Sequence, residues 1–347
     1  MKNLSQGERG QFFQVDRRVM ERVYACGLNS TVAYLILSCG TGRNNRTTTW
    51  STHAIEKYTG LGRDRAKRAI DELRAAQLVR TEMTSASAQA HPRHELLAAS
   101  DIKSIKCKPG TDPDWIWLPN SIVTGAKNEK PPVERLRCQQ DIRVLRMFLE
   151  LYYAQSLADD GGSHWKAIRR QYARHQITER GQYVLWGFTE KTDSAFLDQP
   201  FAAPFITKAR SESQKTLEKS DLWNAWRVLN NQGLVERVEH LIEADTDEAS
   251  IIHACSCETG TELERALGNA ACDYAEWQLQ NYSAIHDKYS TILPVSRDYP
   301  KAELVGIYRL TYRPKTQRTA AWIAKQREEY GTLAANFINL TNPESAA

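Results

Sequence analysis

The chain has 347 residues, 41% of them hydrophobic and 25% charged, with a net charge of +4 at pH 7; this is length enough for two or three domains, each with a sizeable core. No run approaches the ~18 uninterrupted apolar residues of a membrane span, and the opening MKNLSQGERGQFFQVDRR lacks the apolar core of a secretory signal. Seven scattered cysteines, an odd number, suit reduced thiols in a cytoplasm better than a disulfide framework.

Residues 1–28 read as a polar helical arm. Asn29 and Ser30 are N-cap residues for a helix through Thr31–Cys39, in which Val32, Leu35, Ile36 and Cys39 form one apolar stripe. After the polar loop GTGRNNRTTTW, Thr49, Ser51 and Thr52 are candidate N-caps of a short helix over Thr52–Tyr58. Gly60 follows where a left-handed turn needs glycine, and Leu61 in that turn is placed to pack beneath both helices. The next helix is expected over Arg63–Ala76. Its Ala66, Ala69, Ile70, Leu73 and Ala76 make a core-facing stripe, while Arg63, Asp64, Arg65, Lys67, Arg68 and Asp71 collect on the opposite face. LVRTEM then alternates as a strand, HELLAAS is its return strand, and TSASAQAHPR is the hairpin tip.

Helix, short helix, turn, basic helix and two-stranded hairpin is the order of a winged helix-turn-helix domain. STHAIEKYTGLGRDRAKRAIDELRAAQLVR, from Ser51 to Arg80, resembles the three-helix core and first wing strand of bacterial winged-helix proteins. It is similar to those of GntR-type regulators and of plasmid replication initiators. Two residues depart from the pattern: Gln77 stands where those families carry glycine before Leu78-Val79, and Gly62 where they carry a Ser or Thr cap.

A helix fits the DNA major groove, side chains of its first turns reach base edges, and arginine makes a bidentate contact with guanine. Arg63, Arg65 and Lys67 occupy those turns and are the candidate base-reading residues. Arg68 further along, Thr52 and His53 opening the preceding helix, and Arg43 and Arg46 in the loop before it are candidates for the sugar-phosphate backbone. His91 and Arg93 join them at the expected wing tip.

The motif has an echo. LRAAQLVRTE from Leu73 resembles LNNQGLVERVEHLIEAD from Leu229, which has its turn glycine, Gly233. A helix over Lys215–Gln232, with Leu222, Ala225, Trp226 and Leu229 inward, precedes it, and EASIIHACSC supplies a second strand. Upstream, PPVERLRCQQDIRVLRMFLELYYAQSLA reads as one long amphipathic helix. Pro131 and Pro132 open it, and Val133, Leu136, Ile142, Leu145, Phe148, Leu149 and Tyr152 are its buried line. Between these lie KAIRRQYARH and the strand-like QYVLWGF. Lys166, Arg169, Arg170 and Arg174 stand at helical spacing, one basic face able to track a backbone. The expected fold is therefore mainly α with small β-hairpins (α+β), built of tandem winged helix-turn-helix domains. Its parts are an arm (1–28), a DNA-binding winged helix (29–125), a second embellished winged helix (131–260) and a C-terminal extension (261–347).

In the extension, LVGIYRLTYRP alternates as a strand. A helix over Thr316–Ile338 follows, anchored by Trp322, Ile323, Tyr330, Leu333 and Phe337. Arg313, Lys315 and Arg318 add a distal basic patch, a further backbone candidate. His253, Cys255 and Cys257, with Cys272, are weak metal candidates: four N/S ligands suit zinc. The usual CxxC pair is missing, however, and buried free cysteines are ordinary core residues. No metal or other cofactor is expected. The sequence has no GxxxxGK[ST] phosphate loop and no HExxH, so no catalytic motif points to an enzyme.

Charge is segregated along the chain: +6 over residues 1–100, +4 over 101–180 and −6 over 181–347, with nine acids and one base between Glu236 and Glu264. A nucleic-acid binder needs basic faces toward phosphate and acidic ones elsewhere. The expected protein is a sequence-specific binder of double-stranded DNA, a transcription regulator that is cytoplasmic, bacterial and nucleoid-associated, homodimeric and off the membrane. The alternatives are a plasmid or phage replication initiator and a winged-helix scaffold subunit.

Overall fold

The computed structural model describes residues 12–84, 91–108, 111–126, 129–197, 201, 204–205, 212–246, 248–254, 261–279, 285–313 and 316–341. In chain order the elements begin β1 (Phe12–Asp16), α1 (Arg17–Ala25), α2 (Leu28–Cys39), β2 (Thr47–Thr48), α3 (Thr52–Thr59), α4 (Arg63–Ala75), β3 (Val79–Thr84), β4 (His91–Leu96), β5 (Trp115–Pro119), α5 (Ser121–Thr124), α6 (Pro132–Cys138) and α7 (Ile142–Ala154). They continue β6 (Gln155–Ser156), β7 (Gly162–Ser163), β8 (Ile168–Arg180), β9 (Tyr183–Leu197), α8 (Glu212–Asn231), β10 (Val235–Ile242), β11 (Ile251–Ala254), α9 (Thr261–Leu279), α10 (Ile285–Lys288), β12 (Thr291–Ser296), β13 (Glu303–Leu310) and α11 (Gln317–Thr341). The chain divides into two units, each built from several segments. Met1–Tyr153, Ala203–Leu234 and Leu310–Pro314 form the first; Ala154–Ala202, Val235–Arg309 and Lys315–Ala347 form the second.

The first unit is organised around α2, which is buried on every side from Ser30 to Cys39, the behaviour of a helix that is apolar all round. It starts at Gly27, whose φ of 90° only glycine tolerates well, so Asn29 and Ser30 lie inside the helix rather than capping it. Ser30 instead donates to Glu72 on α4 and ties the two helices together. The expected helical arm opens with a strand: β1 buries Phe13 and Val15 and pairs antiparallel with β5. Asp16 then caps α1, its carboxylate accepting from Arg18 N at 3.0 Å. α3, α4 and a three-stranded sheet in the order β2-β4-β3 follow, the element order of a winged helix. β4 starts at His91, so Arg93 sits within the strand and not at the hairpin tip; residues 85–90 lie outside the described residues.

The long helix expected from Pro132 is two helices. Gln140 adopts a left-handed φ of 57° between them, and Asp141 caps α7 by accepting from Arg143 N at 2.9 Å. α8 belongs to this unit and buries Leu222, Ala225 and Leu229 as expected.

The second unit overturns the tandem winged-helix expectation. Strand makes up 27% of the chain, more than small hairpins supply, because this unit is a six-stranded sheet ordered β11-β10-β13-β8-β9-β12. Alternate residues face opposite sides. Leu241 and Leu304 join Tyr172, Phe188, Leu293, Leu267 of α9 and Phe337 of α11 in one core, while Val238, Ile242, Val305 and Ile307 pack with Trp165 on the other side. The echo at Leu229 is local only. Gly233 has the left-handed φ of 62°, but α8 before it belongs to the first unit, and β10 after it enters this sheet instead of forming a wing.

Candidate nucleic-acid interface

The turn between α3 and α4 sets the direction of the basic helix. Gly60 closes α3 in the left-handed region, φ 67°. Thr59 donates from its hydroxyl to Ile55 O at 2.6 Å and accepts from Leu61 N at 3.1 Å. Arg137 of α6 donates to the Thr59 carbonyl at 2.7 Å, closing the end of α3. Leu61, 2% exposed, is the hydrophobic pin under the turn. On α4, Ala66, Ala69, Ile70 and Leu73 face the core, and Ala76, expected to join them, is exposed. The small alanines let α4 lie close against α2 and α3.

The outer face of α4 carries Arg63, Arg65, Lys67 and Arg68, all exposed. None of the four has an acidic partner among the described residues. Arg63 and Arg65, in the first turn, oppose the helix dipole, since the N-terminal end already carries partial positive charge. Gly62 at the N-cap contributes no side-chain hydrogen bond that would offset it. Thr52 and exposed His53 open α3 nearby in sequence, and Arg43 is exposed in the loop before β2. That loop is held by Asn44, whose side-chain oxygen accepts from Arg46 N at 3.1 Å and Thr47 N at 3.2 Å. Arg46 is engaged with Asp101 and, at 3.5 Å, with Glu95, and Arg93 reaches the Thr47 hydroxyl at 3.5 Å.

The other expected basic faces are not assembled this way. KAIRRQYARH is not a helix: Ile168–Arg180 is β8, paired with β9, because the long hairpin closed by Gly181 at φ 56° outweighs local helical spacing. Its cations turn to partners within the unit. Arg169 and Lys166 pair with Asp245 at 2.7 and 3.2 Å, Arg170 with Glu190 at 3.5 Å, and Arg174 donates to the carbonyls of Ala302 at 2.7 Å and Pro300 at 3.0 Å. Of the C-terminal patch, Arg313 donates to the Leu310 carbonyl at 2.9 Å and Arg318 pairs with Asp159 at 2.8 Å; Lys315 lies outside the described residues.

Cys255 and Cys257 also lie outside the described residues. Among those described, no group of three metal-binding side chains forms. His253 is instead a half-buried ring set edge-on to the core residue Tyr330 at 5.7 Å, and Cys272 is buried in the core that holds Tyr330.

Three residues escaped sequence reasoning, Arg74 on α4 and Thr81 and His94 on the hairpin; with Ser51, expected only as a cap, they line a cleft beside the basic helix. The signal was the strand register, which sets Thr81 opposite His94. No protein-family model, no curated protein and no solved structure matches the chain. Among the described residues no helix is long and apolar enough to cross a membrane.

Proposed function

We propose that the protein binds double-stranded DNA sequence-specifically and acts as a transcription regulator. α4 enters the major groove, with the start of α3 and the β3–β4 hairpin on the flanking backbone. One observation carries this reading: Arg63, Arg65, Lys67 and Arg68 face solvent without acidic partners among the described residues, whereas the cations of β8 are all engaged. Folding gains nothing from four unpaired cations, two of which, Arg63 and Arg65, stand in the first turn against the helix dipole, and a polyanion supplies the missing charge. In this reading Arg63, Arg65 and Lys67 contact base edges, and Arg43, Thr52, His53, Arg68 and Arg93 position the backbone. A homodimer sets two α4 helices about one helical turn apart on a palindrome.

The test is selection of bound sequences from a random duplex library, followed by titration of the winning duplex with the wild type and with Arg63→Ala/Arg65→Ala/Lys67→Ala. The triple variant is expected to lose specific binding in moderate salt; unchanged affinity removes α4 from the interface. A palindromic site supports the regulator, and an array of direct repeats beside an AT-rich segment assigns replication initiation instead.

A further inference from the structure

Between α4 and the β3–β4 hairpin runs a cleft whose walls include Ser51, Lys67, Asp71, Arg74, Thr81 and His94. His94 lines it although only 3% exposed. Burial, with Arg74 close by, holds its imidazole below the usual histidine range, so the ring is neutral at pH 7. A neutral imidazole has one donor nitrogen and one acceptor. The Thr81 hydroxyl stands 2.9 Å from Nδ1; where that hydroxyl is the donor, the ring proton is carried on Nε2. That Nε2 is buried and has no hydrogen-bond partner. Buried polar atoms are nearly always satisfied, so an unpartnered ring nitrogen on a cleft-lining residue points to a partner that the chain itself does not supply. Arg74 beside it is held by Asp71 at 3.2 Å, an exposed and exchangeable pair.

We infer that this cleft is a socket for one backbone phosphate of the bound duplex. The His94 Nε2–H donates to a non-bridging phosphate oxygen, and Arg74 leaves Asp71 to face the phosphate charge. The socket rests on the DNA-binding reading above and adds to it a neutral donor built into the fold, His94, beside a cation, Arg74.

Methylphosphonate substitution, one linkage at a time, of the selected duplex tests it. At one linkage the neutral substitution is expected to weaken wild-type binding about tenfold, the scale of one charge-assisted hydrogen bond, and to weaken His94→Phe less, through Arg74 alone. On unmodified duplex His94→Phe is expected to bind about tenfold more weakly. His94→Gln, which keeps an N–H donor, recovers part of the loss, and Asp71→Asn binds more tightly by freeing Arg74. Independently of any variant, the Nε2–H resonance of His94 is expected to shift when duplex is added to the wild type. If each linkage weakens wild type and His94→Phe alike, or the resonance does not move, the socket is wrong. Should the Arg63/Arg65/Lys67 alanine variant still lose binding in that case, the α4 assignment survives without the socket. A wild type that binds no duplex removes both.

Discussion

Asp245 grips Arg169 through two parallel hydrogen bonds, Nη1 to Oδ1 at 2.7 Å and Nη2 to Oδ2 at 2.9 Å. In sequence the two belong to opposite charge blocks, a basic run near residue 170 and the acidic stretch from Glu236 to Glu264. In the fold they cancel. Arg170 and Arg237 likewise share Glu190, at 3.5 and 2.8 Å. Charge segregation along the chain is therefore resolved inside the second unit, and Arg63, Arg65, Lys67 and Arg68 of α4 differ in having no such acid among the described residues.

Asp245→Asn leaves the Arg169 guanidinium, whose side chain is 3% exposed, without its counter-charge. The expected loss is about 2 kcal/mol, less than the ~3–5 kcal/mol for a fully buried pair, because the Asp245 side chain is 49% exposed. Burial pushes this carboxyl up, but the Arg169 bonds outweigh it and hold the group below the usual range. Its contribution is therefore complete above ~4 and fades as pH falls through the folded value. Denaturant titrations at pH 7 and pH 3 are expected to show a large difference from wild type at the first and a small one at the second.

Gln77 closes α4 in the left-handed region at φ 56°, where Gly233 at φ 62° closes α8. A left-handed non-glycine residue costs ~1–2 kcal/mol, offset in part by the extra freedom glycine has when unfolded. Gln77→Gly is expected to raise stability by about 0.5–1 kcal/mol, and Gly233→Ala to lower it by about 1 kcal/mol. Chemical denaturation midpoints that move in the opposite directions contradict the turn geometry.

Charge reversal separates folding from binding on α4. Arg65→Glu with Lys67→Glu places acids near the positive end of the helix, so a gain of a few tenths of a kcal/mol in stability is expected, together with loss of duplex binding. A thermal melt and a binding titration on the same sample decide it. A variant that loses stability and binding together argues that these cations serve the fold.

Two histidines make the second unit acid-sensitive. Burial, and then the charge of Arg309, brings His240 down to about 4, and burial alone brings His253 to about 4. Both groups bind protons in the unfolded chain below ~6.5 but not in the fold. Stability is therefore expected to fall as pH drops from about 6.5 toward 4. His253→Phe retains an aromatic edge against Tyr330 and is expected to flatten that decline. Parallel stability curves for the two proteins tell against the buried-histidine account.

Much of the first unit was readable because its signals are local. Gly60 marks a turn that only a left-handed residue can make, and the alanine spacing of α4 fixes which face points inward. The break at Gln140 was equally local, in Gln-Asp, but the continuous apolar line across it hid the cap. The second unit was misread because its strands are held by distant partners. Lys166, Arg169, Arg170 and Arg174 happen to match a helical repeat, and the pairing of Tyr172 with Glu190, or of Arg170 with Gly306, leaves no trace in either segment alone. The cleft at His94 depends on the wing register and on Arg74 from a different element, so its chemistry became visible only in three dimensions.

The chain passes from one unit to the other five times before it ends, the last visit to the first unit being Leu310–Pro314. On a ribosome the first unit has its helices once α8 has emerged, but it receives its last segment, Leu310–Pro314, only after most of the second unit's sheet has been made. No single cut of the chain separates the two units. Cleavage in the middle of the gene leaves two fragments that must find each other again, and a split-protein complementation assay is a natural way to watch this molecule assemble.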